Sequence, residues 1–285
     1  MAERTHPGLE RSCSDTANDW AFSAPSEPGI NRLEARFNGF AYHPHRHDTY
    51  AIGCTLTGVQ RFDYRGQQHD STPGRTIVLH PDEEHNGRAA GEDGFQYRMI
   101  YLDPGLIRDA LDSPTGPLPF IADAVSINPE LADALHATFV DMDRPLEPLQ
   151  RDHSVQRIAD ALAAGDQTVR PKTVSSIDQK AVRQARDYLQ ESRTMVTSEE
   201  LETVTGLDRY RLARQFRKFW GTSPYRFLTM RRLERASAAI LRGQSLADTA
   251  ADAGFADQSH MTRLFNATYG ISPGRWRQLH QLAKD

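Results

Sequence analysis

The chain has 285 residues, 38% of them hydrophobic and 25% charged, with a formal net charge of −4 and only two cysteines. That length predicts two globular domains with cores of their own, and no apolar run approaches the roughly 20 residues of a membrane-spanning helix. Cys13 and Cys54 lie far apart without metal or redox spacing, which predicts a reducing, cytoplasmic setting and excludes a disulfide scaffold.

The net charge hides an uneven division. Residues 178–285 carry 18 Lys and Arg against 12 Asp and Glu, a net of +6, whereas residues 1–177 carry 16 against 26, a net of −10. A basic half joined to an acidic one is the distribution expected when one domain alone meets phosphates.

Residues 1–30 read as an irregular arm, broken by Pro7, Gly8, Pro25, Pro28 and Gly29, with no secretory apolar segment. Trp20 and Phe22 are candidate lid residues within it. Residues 31–164 form the next unit. Short alternating runs (Leu33, Ala35 and Phe37; Tyr50 to Leu56; Phe62 and Tyr64; Thr76 to Leu79; Tyr97 to Tyr101) are separated by turn formers and predict a compact β-barrel.

Six of the eleven histidines fall between His43 and His85. His45 and His47, two apart on a strand, share a face that His85 could meet, and three imidazoles suit zinc, iron or nickel. The glutamate such sites commonly add a few residues later is missing, since Thr49, Tyr50, Ala51 and Ile52 occupy that stretch. No cofactor is therefore expected, and the histidines are read as polar groups of a ligand pocket in the barrel mouth, together with Tyr50, Arg98 and Tyr101. Helical patterns near Pro129 to Met142 and Pro148 to Ala164 either cover the barrel or form a homodimer seam. Residues 165–177 are polar and read as a linker.

The remaining residues, 178–285, repeat one design twice. Thr197 with Glu200, and Ser245 with Asp248, have the spacing of an N-cap and its reciprocal partner. Gly206 and Gly254 supply the turn, and Asp208 and Asp257 stand at the N-cap of the following helix. In that helix Leu212, Phe216 and Phe219, or Met261, Leu264 and Phe265, form the apolar stripe. Each unit closes on Gly-x-Ser-Pro, at Gly221 to Pro224 and Gly270 to Pro273, and a basic helix from Pro224 to about Arg242 joins the two.

Together with Arg231-Arg232-Leu233-Glu234-Arg235-Ala236, Ala253-Gly254-Phe255-Ala256-Asp257-Gln258-Ser259-His260 and Gly270-Ile271-Ser272-Pro273-Gly274-Arg275-Trp276-Arg277, this segment resembles the DNA-binding domain of AraC-type transcriptional regulators. Asn266, and Ala251 with Asp252, depart from the residues usual there. His43-Pro44-His45-Arg46-His47-Asp48, Gly58, Pro73 to Pro81 and His85 likewise resemble the cupin-like sensor domain of that family.

The resemblance implies an α+β chain: a cupin-like β-barrel with flanking helices, then an all-α domain with two helix-turn-helix motifs. It further implies a homodimer that binds double-stranded DNA and a small-molecule effector, acts on RNA polymerase, and is not an enzyme. By motif position Tyr210, Arg211 and Arg214, and Gln258, His260, Thr262 and Arg263, would read base edges, while Arg209, Arg217, Lys218 and Arg275 would hold phosphates. A metal-dependent cupin enzyme with an appended DNA-binding domain is the alternative.

Overall fold

The computed structural model describes residues 19–25, 27–111, 117–167, 177–193 and 196–282; most of the expected arm and linker, and Cys13, lie outside them. The strands are β1 (Trp20–Ser23), β2 (Ile30–Phe37), β3 (Phe40–His45), β4 (Tyr50–Gly58), β5 (Gln60–Tyr64), β6 (Gln67–Ser71), β7 (Thr76–Leu79), β8 (His85–Ala89), β9 (Phe95–Leu102) and β10 (Val125–Ser126). The expected α+β class holds, but the expected closed barrel is instead two sheets, ordered β1-β2-β9-β4-β7-β10 and β3-β8-β5-β6. Two free edges are occupied from the C-terminal half, which is why closure is unnecessary: α10 (Pro273–Leu282) packs on β1, and α9 (Gln258–Tyr269) packs on β3.

The period-two rule divides the larger sheet into two faces. Leu33, Ala35, Phe37, Ala51, Phe95, Tyr97 and Met99 face the smaller sheet and form the inner core. Ile30, Tyr50, Ile52, Ile100 and Leu102 face the other way, against α1 (Pro104–Ala110), α2 (Pro129–Thr138) and α3 (Pro148–Ala164). These helices thus cover the sheet, while Ile127, Val140 and Leu149 remain 71–85% exposed on that side. The sheet is tight at Gly53, where an added Cβ would sit 2.1 Å from the Arg98 carbonyl oxygen.

The C-terminal half holds α4 (Gln179–Glu191), α5 (Ser198–Thr205), α6 (Arg209–Trp220), α7 (Pro224–Leu241), α8 (Leu246–Asp252), then α9 and α10. Local rules account for nearly every boundary. Thr197 and Glu200 form a capping box at α5, Gly206 ends it in the left-handed conformation at φ 69°, and Asp208 accepts the N–H groups of Tyr210 and Arg211 to start α6. Ser245 caps α8 in the same way, but Asp248 accepts from the Ser245 hydroxyl, because its side chain is one methylene shorter than Glu200. Ser223 and Ser272 accept from the N–H groups of Arg226 and Arg275, each followed by Pro at the first helical position. Each motif buries its own core, one around Leu212, Phe216, Phe219 and Trp220, the other around Leu233, Met261 and Phe265.

Candidate nucleic-acid interface and effector cavity

The two second helices of the repeated unit present their N-terminal turns to solvent. On α6, Tyr210 is 71% exposed and Arg211, Arg214, Arg217 and Lys218 are exposed beside it. On α9, Gln258 and Arg263 are exposed, Thr262 is half-buried, and His260 is half-buried with its ring edge-on to Phe255 at 5.8 Å. Arg209 behaves differently from a free phosphate clamp. Its guanidinium bonds to Glu202 at 2.9 Å and Glu199 at 3.1 Å within its own motif.

Arg217 and Arg275 are held by the other domain. Arg217 pairs with Asp82 at 3.1 Å, and Arg275 with Asp19 at 2.6 Å. Arg226 shares Asp82, and Arg183, Arg186 and Arg231 bond to Asp109, Asp103 and Asp48. Six arginines of the basic half thus meet five aspartates of the acidic half. The charge division expected from DNA binding therefore also builds the contact between domains, a role that the sequence reading missed. Arg231, one of the basic residues of the joining helix, is 5% exposed, stacks on Phe227 at 4.7 Å, and bonds to Asp48 and to Glu234 at 2.8 Å.

Backbone atoms join the domains too. The His43 N–H donates to the Gly270 carbonyl at 2.9 Å and the Arg46 N–H to that of Ala267 at 3.2 Å, so β3 and the chain after it satisfy the C-terminal end of α9.

Between the domains lies a cavity of about 360 Å³, walled on the sensor side by Leu33, Tyr42, His45, His47 and Tyr101 and on the helical side by Met230, Glu234, Ser237, Tyr269 and Trp276. Of the expected effector residues, His45, His47 and Tyr101 reach it. His85 lies just behind, its ring 4.2 Å from that of His45 and 4.8 Å from that of His47. Tyr50 and Arg98 do not belong to it. Tyr50 faces the helices, with its hydroxyl donating to the Pro119 carbonyl, and Arg98 pairs with Glu34 at 2.7 Å beside Phe139. Tyr101 and Arg98 are three residues apart on one strand, which puts them on opposite faces.

Each imidazole is oriented by a backbone carbonyl: Nδ1 of His45, His47 and His85 bonds to the oxygens of His43, Thr49 and Glu83 at 2.8–3.1 Å. Those Nδ1 atoms are therefore donors, and the Nε2 atoms are left as acceptors. Among the described residues, His47 Nε2 is buried with no hydrogen-bond partner, as is the Trp276 indole N–H. Burial, and then the neighbouring imidazoles, push His45 well below the ordinary histidine value and His47 and His85 down to about 3, so all three are neutral. Among the described residues no group of three His, Cys, Asp or Glu side chains is placed to hold a metal ion. Burial raises the Glu234 carboxyl to about 7 against the pull of Arg231. Glu234 and Trp276 stand in the quoted motif, but nothing in the sequence marks them as cavity walls.

Residues 27–162 match the AraC-like ligand binding domain and residues 201–279 a helix-turn-helix domain. The HTH-type transcriptional regulator YbfI of Bacillus subtilis is 25% identical over 242 residues, 82% of this chain and 87% of that one. The transcriptional activator NphR of a Rhodococcus species is 44% identical over 61 residues, 21% of this chain and 18% of its own. Among solved structures, ToxT of Vibrio cholerae superposes with a TM-score of 0.62 at 11% identity, over 88% of this chain and 98% of that one. A form of ToxT bound to an unsaturated fatty acid matches at 0.57, also at 11% identity, over 98% of each chain. With both domain families matched in order and the same two-domain fold, the chain belongs to the AraC-type transcriptional regulators: a DNA-binding helix-turn-helix domain joined to a ligand-binding N-terminal domain.

Proposed function

We propose that a small molecule bound in the cavity between the domains sets the spacing and freedom of the two reading helices, and that this controls transcription. The observation that carries the reading is that residues of both domains wall the cavity, while β3, which bears His45, is hydrogen-bonded to the end of α9. A ligand that fits one arrangement of the domains better than another shifts their equilibrium by that difference in affinity. Tyr210, Arg211 and Arg214 of α6, and Gln258, His260, Thr262 and Arg263 of α9, then read bases in successive major grooves, roughly 34 Å apart. Arg209, Arg217, Lys218 and Arg275 supply phosphate contacts, Arg217 and Arg275 only after leaving Asp82 and Asp19, and Arg209 only after leaving Glu199 and Glu202.

The protein acts in the cytoplasm as a homodimer, catalyses no reaction, needs no resident cofactor, and works on RNA polymerase from its operators. Exposed Ile127, Val140 and Leu149 on the helical face of the sensor favour that side as the dimer seam. The test is binding of the purified protein to fragmented genomic DNA at about 0.15 M salt, where non-specific phosphate attraction is suppressed. Discrete sites with two half-motifs about one turn apart are expected, and Arg214→Ala should relax preference at one base pair for about 1–3 kcal/mol. Equal weakening on every sequence would count against a base contact.

A further inference from the structure

We propose that the effector is an organic cation, a protonated amine on an aromatic or aliphatic body of one or two rings, held between the aromatic walls of the cavity with its ammonium group toward Glu234. This rests on the cavity being the effector site.

The first support is the charge count around the cavity. Two carboxylates, buried Asp48 and half-buried Glu234, share one guanidinium, that of Arg231, so the cluster at the cavity wall carries one negative charge in excess when ionised. Among the described residues the cavity walls offer no cation to reverse this. Arg32, the one arginine among them, directs its terminal nitrogens away to the carbonyls of Thr138, Asp141 and Arg144 and to Glu27. Arg235, next to Glu234, bonds to the Ser192 carbonyl. The buried histidines are neutral.

The second support is hydrogen-bond polarity. With Nδ1 committed to backbone carbonyls, the imidazoles of His45 and His47, two residues of the cavity wall, can only accept at their remaining nitrogen. An ammonium N–H satisfies such an atom, whereas a carboxylate meets a second lone pair. The third is the wall itself. Tyr42, Tyr101, Tyr269 and Trp276 bring four aromatic rings to the lining of the space, and the faces of such rings attract a desolvated ammonium. A cavity of about 360 Å³ lies at the small end of ligand pockets, which run from roughly 300 to 1,000 Å³, and this limits the body to one or two rings. The fatty acid recorded with ToxT is the opposite charge type, and the identity of 11% carries the fold across without the ligand.

Titration calorimetry of the full chain with three probes that share one body and differ in the head group decides the matter: 3-phenylpropylamine, 3-phenylpropanol and 3-phenylpropanoate. The amine should bind at least tenfold more tightly than the alcohol, and the carboxylate should not bind measurably. Glu234→Gln should weaken the amine at least tenfold and leave the alcohol unchanged, with Glu234→Asp restoring part of the loss; Tyr101→Leu should cost the amine more than the alcohol. A carboxylate bound as tightly as the amine, no measurable amine binding, or a Glu234→Gln variant of unchanged amine affinity overturns the proposal. Ala238→Trp, which fills the cavity from α7, separates the two levels. Carboxylate binding that it abolishes leaves the effector cavity standing and the cation assignment refuted, while binding that it leaves intact refutes the cavity as well.

Discussion

Arg231 offers the sharpest test of what holds the two domains together. Its guanidinium is 6% exposed and has two acidic partners, Asp48 from the sensor and Glu234 from its own helix. Removing one member of a buried pair costs about 3–5 kcal/mol when the other charge is left alone. In Asp48→Asn the charge is not left alone, because Glu234 remains at 2.8 Å, so the expected loss is about 2 kcal/mol. In Arg231→Met the buried Asp48 and the half-buried Glu234 lose their one cation, and the loss should reach about 4 kcal/mol. The double variant should cost less than the sum, with a coupling energy of about 1–2 kcal/mol, inside the range for residues in contact. Urea unfolding of all four proteins, with the transition midpoint followed by tryptophan fluorescence, gives the cycle. Coupling below 0.5 kcal/mol, or a larger loss from Asp48→Asn than from Arg231→Met, would refute the account.

Asp82 has a φ of 63°, which Asn tolerates, so Asp82→Asn should free Arg217 without breaking the turn; DNA affinity should rise at low salt and the log–log salt slope steepen by about 0.9, and an unchanged slope in filter binding would exclude Arg217 as a phosphate contact. Stability should fall with acid. His45, His47, His80 and His85 have depressed values in the folded state, so their contribution is complete above the unfolded value near 6.5 and is lost as pH falls from there toward about 3. Glu234, raised to about 7, works in the opposite sense and offsets part of this; the net loss between pH 7.5 and 5.5 should be about 3 kcal/mol by urea titration, and His47→Gln should flatten it. Gly206 and Gly270 share a φ of 69°, but an added Cβ meets nothing at Gly206 and, at Gly270, the His43 oxygen and His45 Nδ1 at 2.8 Å. Gly206→Ala should therefore cost about 1–2 kcal/mol, while Gly270→Ala should cost more and speed hydrogen exchange at the His43 and Arg46 amides.

The helical half was legible because its signals are local: an Asp208 or Asp257 cap acts within three residues, and a Gly or Pro sets its own backbone. The strands with strong alternation, β2, β4, β5, β7 and β9, were legible for the same reason. The polar β6 and β8, and the short β1 and β10, were not. The lining of the cavity between the domains was half legible. His45 and His47 stand out in a histidine-rich stretch, but Tyr50 and Arg98 lie on the far face of the larger sheet, because neighbours on a strand point apart. The helical wall of the cavity leaves no trace in the sequence. Asp48 and Arg231 are 183 positions apart, and pairing over such distances has no period to read, only the crude hint of opposite net charges.

The carbonyls at the end of α9 find donors in the backbone of the other domain, and this limits how freely such a protein can be recombined. A chimera that grafts this reader onto a foreign sensor would carry along a helix whose last turn has lost two partners, and a buried Arg231 whose counter-charge stayed behind. Cutting at the linker therefore divides the gene more cleanly than it divides the fold. A working exchange would have to transplant the strip from His43 to Asp48 with the helices, and an ancestral fusion of the two parts would have had to acquire that strip before the reader could depend on it.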